Sequence, residues 1–281
     1  PRYRGRMGHL IPAAELIERL REPGVRVVDC RWYLMEPAGG REAFEAGHIP
    51  GAVYADLDRD LSAPSGAGRH PLPTPDAFAA TMGRMGIDRS SFVVAYDDRG
   101  GAIAARLWWM LTSQGHDSAT VLDGGIQAWR DLGGDLSTVV VDPVPAVFDA
   151  QPWTGTVTID EVADRRATAT ILDARDADRY AGDVEPVDPK AGHIPGAMSQ
   201  PMTGNLGTDL RFHPPQVLER RFDAMGIGER THVIAHCGSG VTACHTILAA
   251  EIAGLPRPDL YVGSWSDWSS TDRPIATGPH P

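Results

Sequence analysis

Two tandem α/β domains, each a doubly wound parallel sheet, are predicted by three observations. The chain has 281 residues, enough for about two domains of ordinary size. It repeats itself once: Gly47-His48-Ile49-Pro50-Gly51-Ala52 recurs as Gly192-His193-Ile194-Pro195-Gly196-Ala197, an offset of 145. Within each copy, short β-branched runs alternate with helical patterns, the signature of a parallel sheet covered on both faces.

The repeat extends along the whole chain. Val28-Asp29-Cys30-Arg31 matches Leu172-Asp173-Ala174-Arg175 at offset 144, and Val93-Val94-Ala95-Tyr96-Asp97 matches Val233-Ile234-Ala235-His236-Cys237 at offset 140. Gly124-Gly125 with Trp129 pairs with Gly263-Ser264 and Trp268 at offset 139. A period this long is a duplicated domain, not a solenoid. In the first copy Val25–Cys30, Phe92–Tyr96 and Thr120–Leu122 read as buried strands. Pro12–Arg21, the stretch from Thr74 (cap) and Pro75 (first turn) to Met85, and Ala104–Ser113 read as helices. In the second copy Thr170–Leu172, Thr231–Ala235 and Leu260–Val262 are strands, and Pro215–Asp223 and Val241–Ala253 helices. The proline-interrupted stretch around Val139–Pro145 cannot be helical. The expected division is therefore residues 1–140, a linker at 141–156, and residues 157–281.

Composition narrows the function classes. With 26 Lys+Arg against 37 Asp+Glu the net charge is −11, which disfavours nucleic acid and anionic membranes as partners. No apolar stretch approaches the ~20 residues that span a bilayer. The basic start Pro1–Arg6 runs into the charged Ile11-Pro12-Ala13-Ala14-Glu15 too soon for a signal peptide. Three widely spaced cysteines, Cys30, Cys237 and Cys244, suit a reducing, cytoplasmic setting better than a disulfide framework. No zinc spacing, phosphate loop or other cofactor motif is present.

Features common to both copies serve the fold, and those confined to one copy serve chemistry. By that rule the two Gly-His-Ile-Pro-Gly-Ala turns and the pairs Asp29–Arg31 and Asp173–Arg175 are scaffold. The informative difference is the turn after the second of the predicted strands: His236-Cys237-Gly238-Ser239-Gly240-Val241-Thr242 in the second copy, Tyr96-Asp97-Asp98-Arg99-Gly100-Gly101-Ala102 in the first. Glycines that curl the backbone at a helix start make successive N–H groups converge, and the helix dipole adds to their field. Both favour thiolate over thiol, so Cys237 is expected to be a nucleophile near neutral pH. Asp97, at the matching place, cannot carry sulfur, so one active site is expected. Cys244, two helical turns on, is too far for a disulfide; it and Cys30 read as buried thiols.

The whole chain resembles the tandem-domain rhodanese sulfurtransferases, and the loop Cys-Gly-Ser-Gly-Val-Thr at 237–242 resembles the 3-mercaptopyruvate branch. Arg31-Trp32-Tyr33, Trp108-Trp109-Met110, Asp123-Gly124-Gly125 with Trp129, and Gly263-Ser264-Trp265-Ser266-Asp267-Trp268 support it. The resemblance implies two rhodanese-like domains, the second catalytic, with the site in the cleft between them. It implies a Cys237 persulfide formed from a small anionic donor, 3-mercaptopyruvate or thiosulfate, and emptied by a thiol, cyanide or thioredoxin-like acceptor. Gly238, Ser239, Gly240, Val241 and Thr242 would line the donor site; Ser239, where the thiosulfate branch has a basic residue, favours mercaptopyruvate. The family holds the donor carboxylate with two arginines nine residues apart. The first matches Arg179, which has no arginine counterpart in the first half (Met35 stands there), and nine residues on stands Asp188, with Lys190 the nearest cation. Trp32 and His48 are further candidates for the first domain's side of the donor site, although His193 repeats His48.

Two other enzyme readings fail on spacing. A cysteine phosphatase needs an arginine six positions after the nucleophile, where Ala243 stands. A cysteine hydrolase needs a histidine base against the thiolate, and His236 should point to the other side of its strand. The alternative from a different class is a non-catalytic persulfide carrier or binding module for a protein partner.

Overall fold

A computed structural model describes residues 8–281; the basic stretch Pro1–Arg6 lies outside the described residues. The chain divides into two compact units. One combines the chain up to Asp60 with Thr74–Trp153, and the other combines Leu61–Pro73 with Thr154–Pro281. This differs from the division at 140 in two ways. The segment Leu61–Pro73, early in the sequence, packs into the second unit. Much of the proline-interrupted stretch packs onto the first: Phe148 is buried against Phe78, Trp153 stacks on Trp109, and the Ala146 N–H donates to the Gly83 carbonyl at 2.9 Å.

The first unit runs β1 (Leu10–Ile11), α1 (Ala13–Arg19), β2 (Val25–Asp29), α2 (Gly39–Ala46), β3 (Val53–Tyr54), α3 (Pro75–Arg84), β4 (Phe92–Tyr96), α4 (Ala104–Ser113), β5 (Ala119–Leu122) and α5 (Gly125–Asp131). The second runs β6 (Thr156–Val157), α6 (Ile159–Arg165), β7 (Thr170–Asp173), α7 (Ala177–Ala181), β8 (Ala197–Ser199), a 3₁₀ turn at Met202–Asn205, α8 (Pro215–Asp223), β9 (Val233–His236), α9 (Thr242–Ile252), β10 (Asp259–Tyr261) and α10 (Ser264–Trp268). Each unit holds one five-stranded, wholly parallel sheet, in the order β1-β5-β4-β2-β3 and β6-β10-β9-β7-β8. The central strands are those the sequence predicts. The edge strands β1, β3, β6 and β8 are two or three residues long, too short to carry a periodic signal, and brevity protects an edge from unwanted pairing.

Helix α3 starts as its sequence prescribes: Thr74 Oγ accepts the Ala77 N–H and Pro75 occupies the first turn. Helices α4 and α9 are buried almost all round, which makes them the central helices of their units. Among the described residues no helix is long and apolar enough to cross a membrane.

The strand order places the site. The chain steps from β7 outward to β8, then returns across β7 to β9. With right-handed crossovers, the connections on either side of the β7/β9 boundary lie on opposite faces. Such a switch point leaves a crevice beyond the carboxyl ends of its two strands, where α/β sheets bind ligands. Asp173 and His236 are paired in register there, and Cys237 is the next residue.

The strand end is secured by a buried ion pair. Arg175 meets the Asp173 carboxylate through Nε and Nη2 at 3.0 and 2.6 Å, and donates from Nη2 to the Gly192 carbonyl at 2.7 Å. Arg31 does the same with Asp29 and the Gly47 carbonyl at 3.0, 2.6 and 2.8 Å. Each pair thus ties a strand end to the Gly-His turn of its own unit. Burial works to raise Asp173, but the neighbouring His236 and Arg175 outweigh it and hold the carboxyl below its ordinary value. Its contribution to stability is present above that value and is lost as pH falls through the lowered one. Asp173→Asn, which strands Arg175, is expected to cost about 3–5 kcal/mol at pH 7. Thermal melts across pH should show this gap closing only in acid, below the ordinary carboxylate value of 3.8.

Candidate active site

Cys237 follows β9 directly and is 2% exposed. Its backbone is fixed by the turn that opens α10. The Cys237 N–H donates to Ser264 Oγ at 3.1 Å, while the Cys237 and Gly238 carbonyls accept the Trp265 and Ser266 N–H groups, both at 2.9 Å. Ser264 has φ +55°, a left-handed conformation that costs a non-glycine residue about 1–3 kcal/mol. The equivalent residue of the first unit is Gly125, with φ +57°. The serine thus keeps a glycine's backbone angle, and its hydroxyl holds the cysteine.

The first unit displays what this type of loop does to an anion. The Asp97 carboxylate accepts the backbone N–H groups of Arg99, Gly101, Ile103 and Ala104 at 2.8–2.9 Å. Four N–H donors converge on this buried carboxyl and work to favour its charge, against burial, which pushes it up overall. In the second unit the corresponding residue is Cys237, at the start of the eleven-residue α9, whose N-cap Val241 supplies no side-chain cap. Gly240 makes the curl: its φ is +75° and an added Cβ would lie 2.5 Å from the Val262 carbonyl.

Ser239 is buried, and its Oγ lies 2.7 Å from Nδ1 of His70, itself buried. His70 comes from Leu61–Pro73, a Gly/Pro/Ser-rich stretch with neither periodicity nor a recognisable motif. The segment is seated on the α10 turn. The Arg69 N–H donates to Ser266 Oγ at 3.0 Å, and Gly68, with φ +74°, approaches the Gly263 carbonyl so closely that a Cβ would sit 2.4 Å from its oxygen. Arg69 is the only charged residue of the segment, the one local hint that it serves anything but a loop.

Arg179 sits against the Cys237 loop, not in solvent. Its side chain is 16% exposed, and its Nη2 meets Glu185 at 2.6 Å and Asp188 at 3.2 Å. Asp188 is also ion-paired with Arg69 Nη1. A methyl group placed on Gly238 would lie 2.9 Å from Arg69 Nη2 and 3.5 Å from Arg179 Nη1. Two guanidinium groups therefore flank the residue after the cysteine. Burial works to raise Glu185, but the Asp188 N–H, the Arg179 guanidinium and the Val187 N–H overcome it and hold the carboxylate below its usual range. Burial pushes Asp188 up, with the charge of Arg69 opposing. Lys190 is exposed and donates to the Thr271 carbonyl, away from this group.

The chain belongs to the rhodanese sulfurtransferase family. The rhodanese-like domain model matches it twice, over residues 12–132 and 158–271. A probable 3-mercaptopyruvate sulfurtransferase of Pseudomonas aeruginosa is 45% identical over 279 residues, 96% of this chain and 98% of the relative. A putative thiosulfate sulfurtransferase of Mycobacterium tuberculosis is 40% identical over 96% of this chain and 97% of its own. Among solved structures, the 3-mercaptopyruvate sulfotransferase SseA of Escherichia coli matches with a TM-score of 0.81 at 30% identity, over 92% of this chain and 99% of that one.

Within this rhodanese chain the structure brings Arg179 together with the loop from Gly238 to Thr242. It gives His48 another task. That ring is buried and stacked on Phe44, with Nδ1 2.8 Å from the Phe44 carbonyl and Nε2 3.1 Å from that of Val139. With both nitrogens engaged it is a scaffold residue, as is its repeat His193, stacked on Tyr180. Trp32 belongs to the first unit, where its indole N–H donates to Asp58 at 2.8 Å. All three cysteines are free thiols, and burial pushes the Cys30 thiol well up.

Gly240→Ala should destabilise the second unit by about 1–3 kcal/mol from the backbone angle alone, with the carbonyl clash adding to it. Gly238→Ala meets guanidinium tips and not backbone, at an ordinary backbone angle, and should cost less than Gly240→Ala. Denaturant unfolding of the two variants measures the contrast.

Proposed function

We propose that this sulfurtransferase takes sulfur from a small anionic donor, 3-mercaptopyruvate in preference to thiosulfate, onto Cys237, and hands it to a thiol or cyanide. The observation that carries the reading is the pair of equivalent loops. One closes four N–H donors around the Asp97 carboxylate; the other offers a cysteine sulfur at the same place. A loop of this kind favours both the attacking thiolate and the persulfide anion that follows.

In the first half-reaction the Cys237 thiolate attacks the donor sulfur. The carbon–sulfur bond of mercaptopyruvate breaks, its electron pair departs on carbon as the pyruvate enolate, and a proton is taken up there. Cys237 is left as the persulfide. Ser239, hydrogen-bonded to His70 at 2.7 Å, is the hydroxyl available to stabilise that departing group, and the buried imidazole sets its orientation. With thiosulfate the sulfur–sulfur bond breaks instead and sulfite leaves. An acceptor thiolate then attacks the outer sulfur and returns the Cys237 thiolate, which gives ping-pong kinetics. A thioredoxin-like protein thiol fits the same step as a small one.

Intact-protein mass spectrometry after incubation with each donor tests this reading. Wild-type protein is expected to gain one sulfur from mercaptopyruvate and to lose it on addition of a thiol, and Cys237→Ala to gain none. A gain from thiosulfate alone reverses the donor order. No gain from either donor leaves the alternative of a carrier loaded by a protein partner.

A further inference from the structure

The arginine pair that the family draws from one stretch of sequence is incomplete in this chain, since Asp188 stands at the second position. Asp188 is nevertheless not a defect in an otherwise empty place. Its side chain is 2% exposed and is gripped from two sides, by Arg179 Nη2 at 3.2 Å and by Arg69 Nη1. Arg69 is drawn from the segment Leu61–Pro73, which the Gly68 contact and the Ser266 hydrogen bond hold to the α10 turn. The guanidinium edges not spent on carboxylates, Arg69 Nη2 and Arg179 Nη1, are the ones beside Gly238. The Nε atoms of both arginines are buried and make no hydrogen bond in the structure. The next charged residues inward, Glu185 and Arg175, are 3.4 Å apart and already committed to Arg179 and Asp173. Arg69, 26% exposed, is the outermost member of the group.

We propose that Arg69 is the second donor-binding cation of this enzyme, paired with Arg179 across an Asp188 carboxylate that braces both, and that the pair receives the donor's carboxylate. This rests on the sulfurtransferase reading of Cys237 and adds a specificity to it. Arg69, Arg179, Glu185 and Asp188 together carry no net charge, so the site offers guanidinium N–H donors, not excess positive potential. Guanidinium N–H groups match a planar carboxylate in the bidentate manner. A tetrahedral dianion such as thiosulfate gains less from such a neutral arrangement. In this chain the second cation thus comes from a segment more than a hundred residues before position 188, where an acid stands.

Steady-state kinetics with 3-mercaptopyruvate and thiosulfate test the assignment, using wild type, Arg69→Met, Asp188→Asn and the exchange Arg69→Asp with Asp188→Arg. Arg69→Met should raise KM for mercaptopyruvate about 10- to 100-fold, the loss of a charged hydrogen-bond partner. The exchange restores an arginine pair nine residues apart and should recover most of that loss, which a merely structural role of Arg69 would not predict. Asp188→Asn leaves a net positive site and should shift the ratio of kcat/KM toward thiosulfate. Melting curves accompany each variant, and the exchange keeps the test decisive should Arg69→Met unfold. A mercaptopyruvate KM for Arg69→Met within about twofold of wild type overturns the Arg69 assignment while leaving the Cys237 chemistry intact. An exchange variant that folds but shows no recovery overturns it equally. Wild-type protein that transfers sulfur from neither donor overturns the underlying reading and the assignment with it.

Discussion

A buried carboxylate at the end of a strand must be neutralised, and the response to that demand organises the second unit. Asp173 is fully buried and is met by Arg175, which also grips the Gly192 carbonyl. From there the charges alternate outward: Arg175 to Glu185, Glu185 to Arg179, Arg179 to Asp188, Asp188 to Arg69. Each member is desolvated enough that removing one leaves its neighbour uncompensated, which is costly at low dielectric. The ladder fixes α7, the loop after it and the Leu61–Pro73 segment relative to the strand end, and so places two guanidinium groups beside the cysteine loop.

The first unit has the same beginning and a different continuation. Asp29 is paired with Arg31 and also accepts the Tyr96 hydroxyl at 2.6 Å. In the second unit His236 replaces Tyr96, and Glu185 extends the network toward Arg179. The two loops diverge in parallel. In one the anion is built in as the Asp97 carboxylate and the loop is closed on itself. In the other the corresponding residue is Cys237. Duplication thus preserved the strand-end pair and the Gly-His turn in both copies, while the turns after β4 and β9 diverged.

Of the two non-glycine residues with left-handed angles among the described residues, Leu210 and Ser264, one lies against the cysteine. The left-handed angle at Ser264 is natural for glycine, as in Gly125, but the hydroxyl that results from using serine binds the Cys237 N–H. The surrounding turn, with Trp265 and Trp268 fully buried, over-determines the conformation and so sustains the cost.

The duplication, the central strands β2, β4, β7 and β9, the scaffold pairs, and Cys237 as the distinctive residue of the second copy are all legible along the chain. Those features are local or repeated: a run of β-branched residues, a cap with its proline, a motif that recurs intact. Arg179 was legible through the resemblance, at the first of the family's two arginine positions, and it has no arginine counterpart in the first half. Folding is what brings Arg69 and His70 into the cysteine's unit, sets Asp188 between two arginines and occupies His48 fully inside the first core. The physical reason is range. Charge pairing and burial act over a few ångströms in space and are indifferent to separation along the chain, so a loop without periodicity can supply the groups that complete a site more than a hundred residues away.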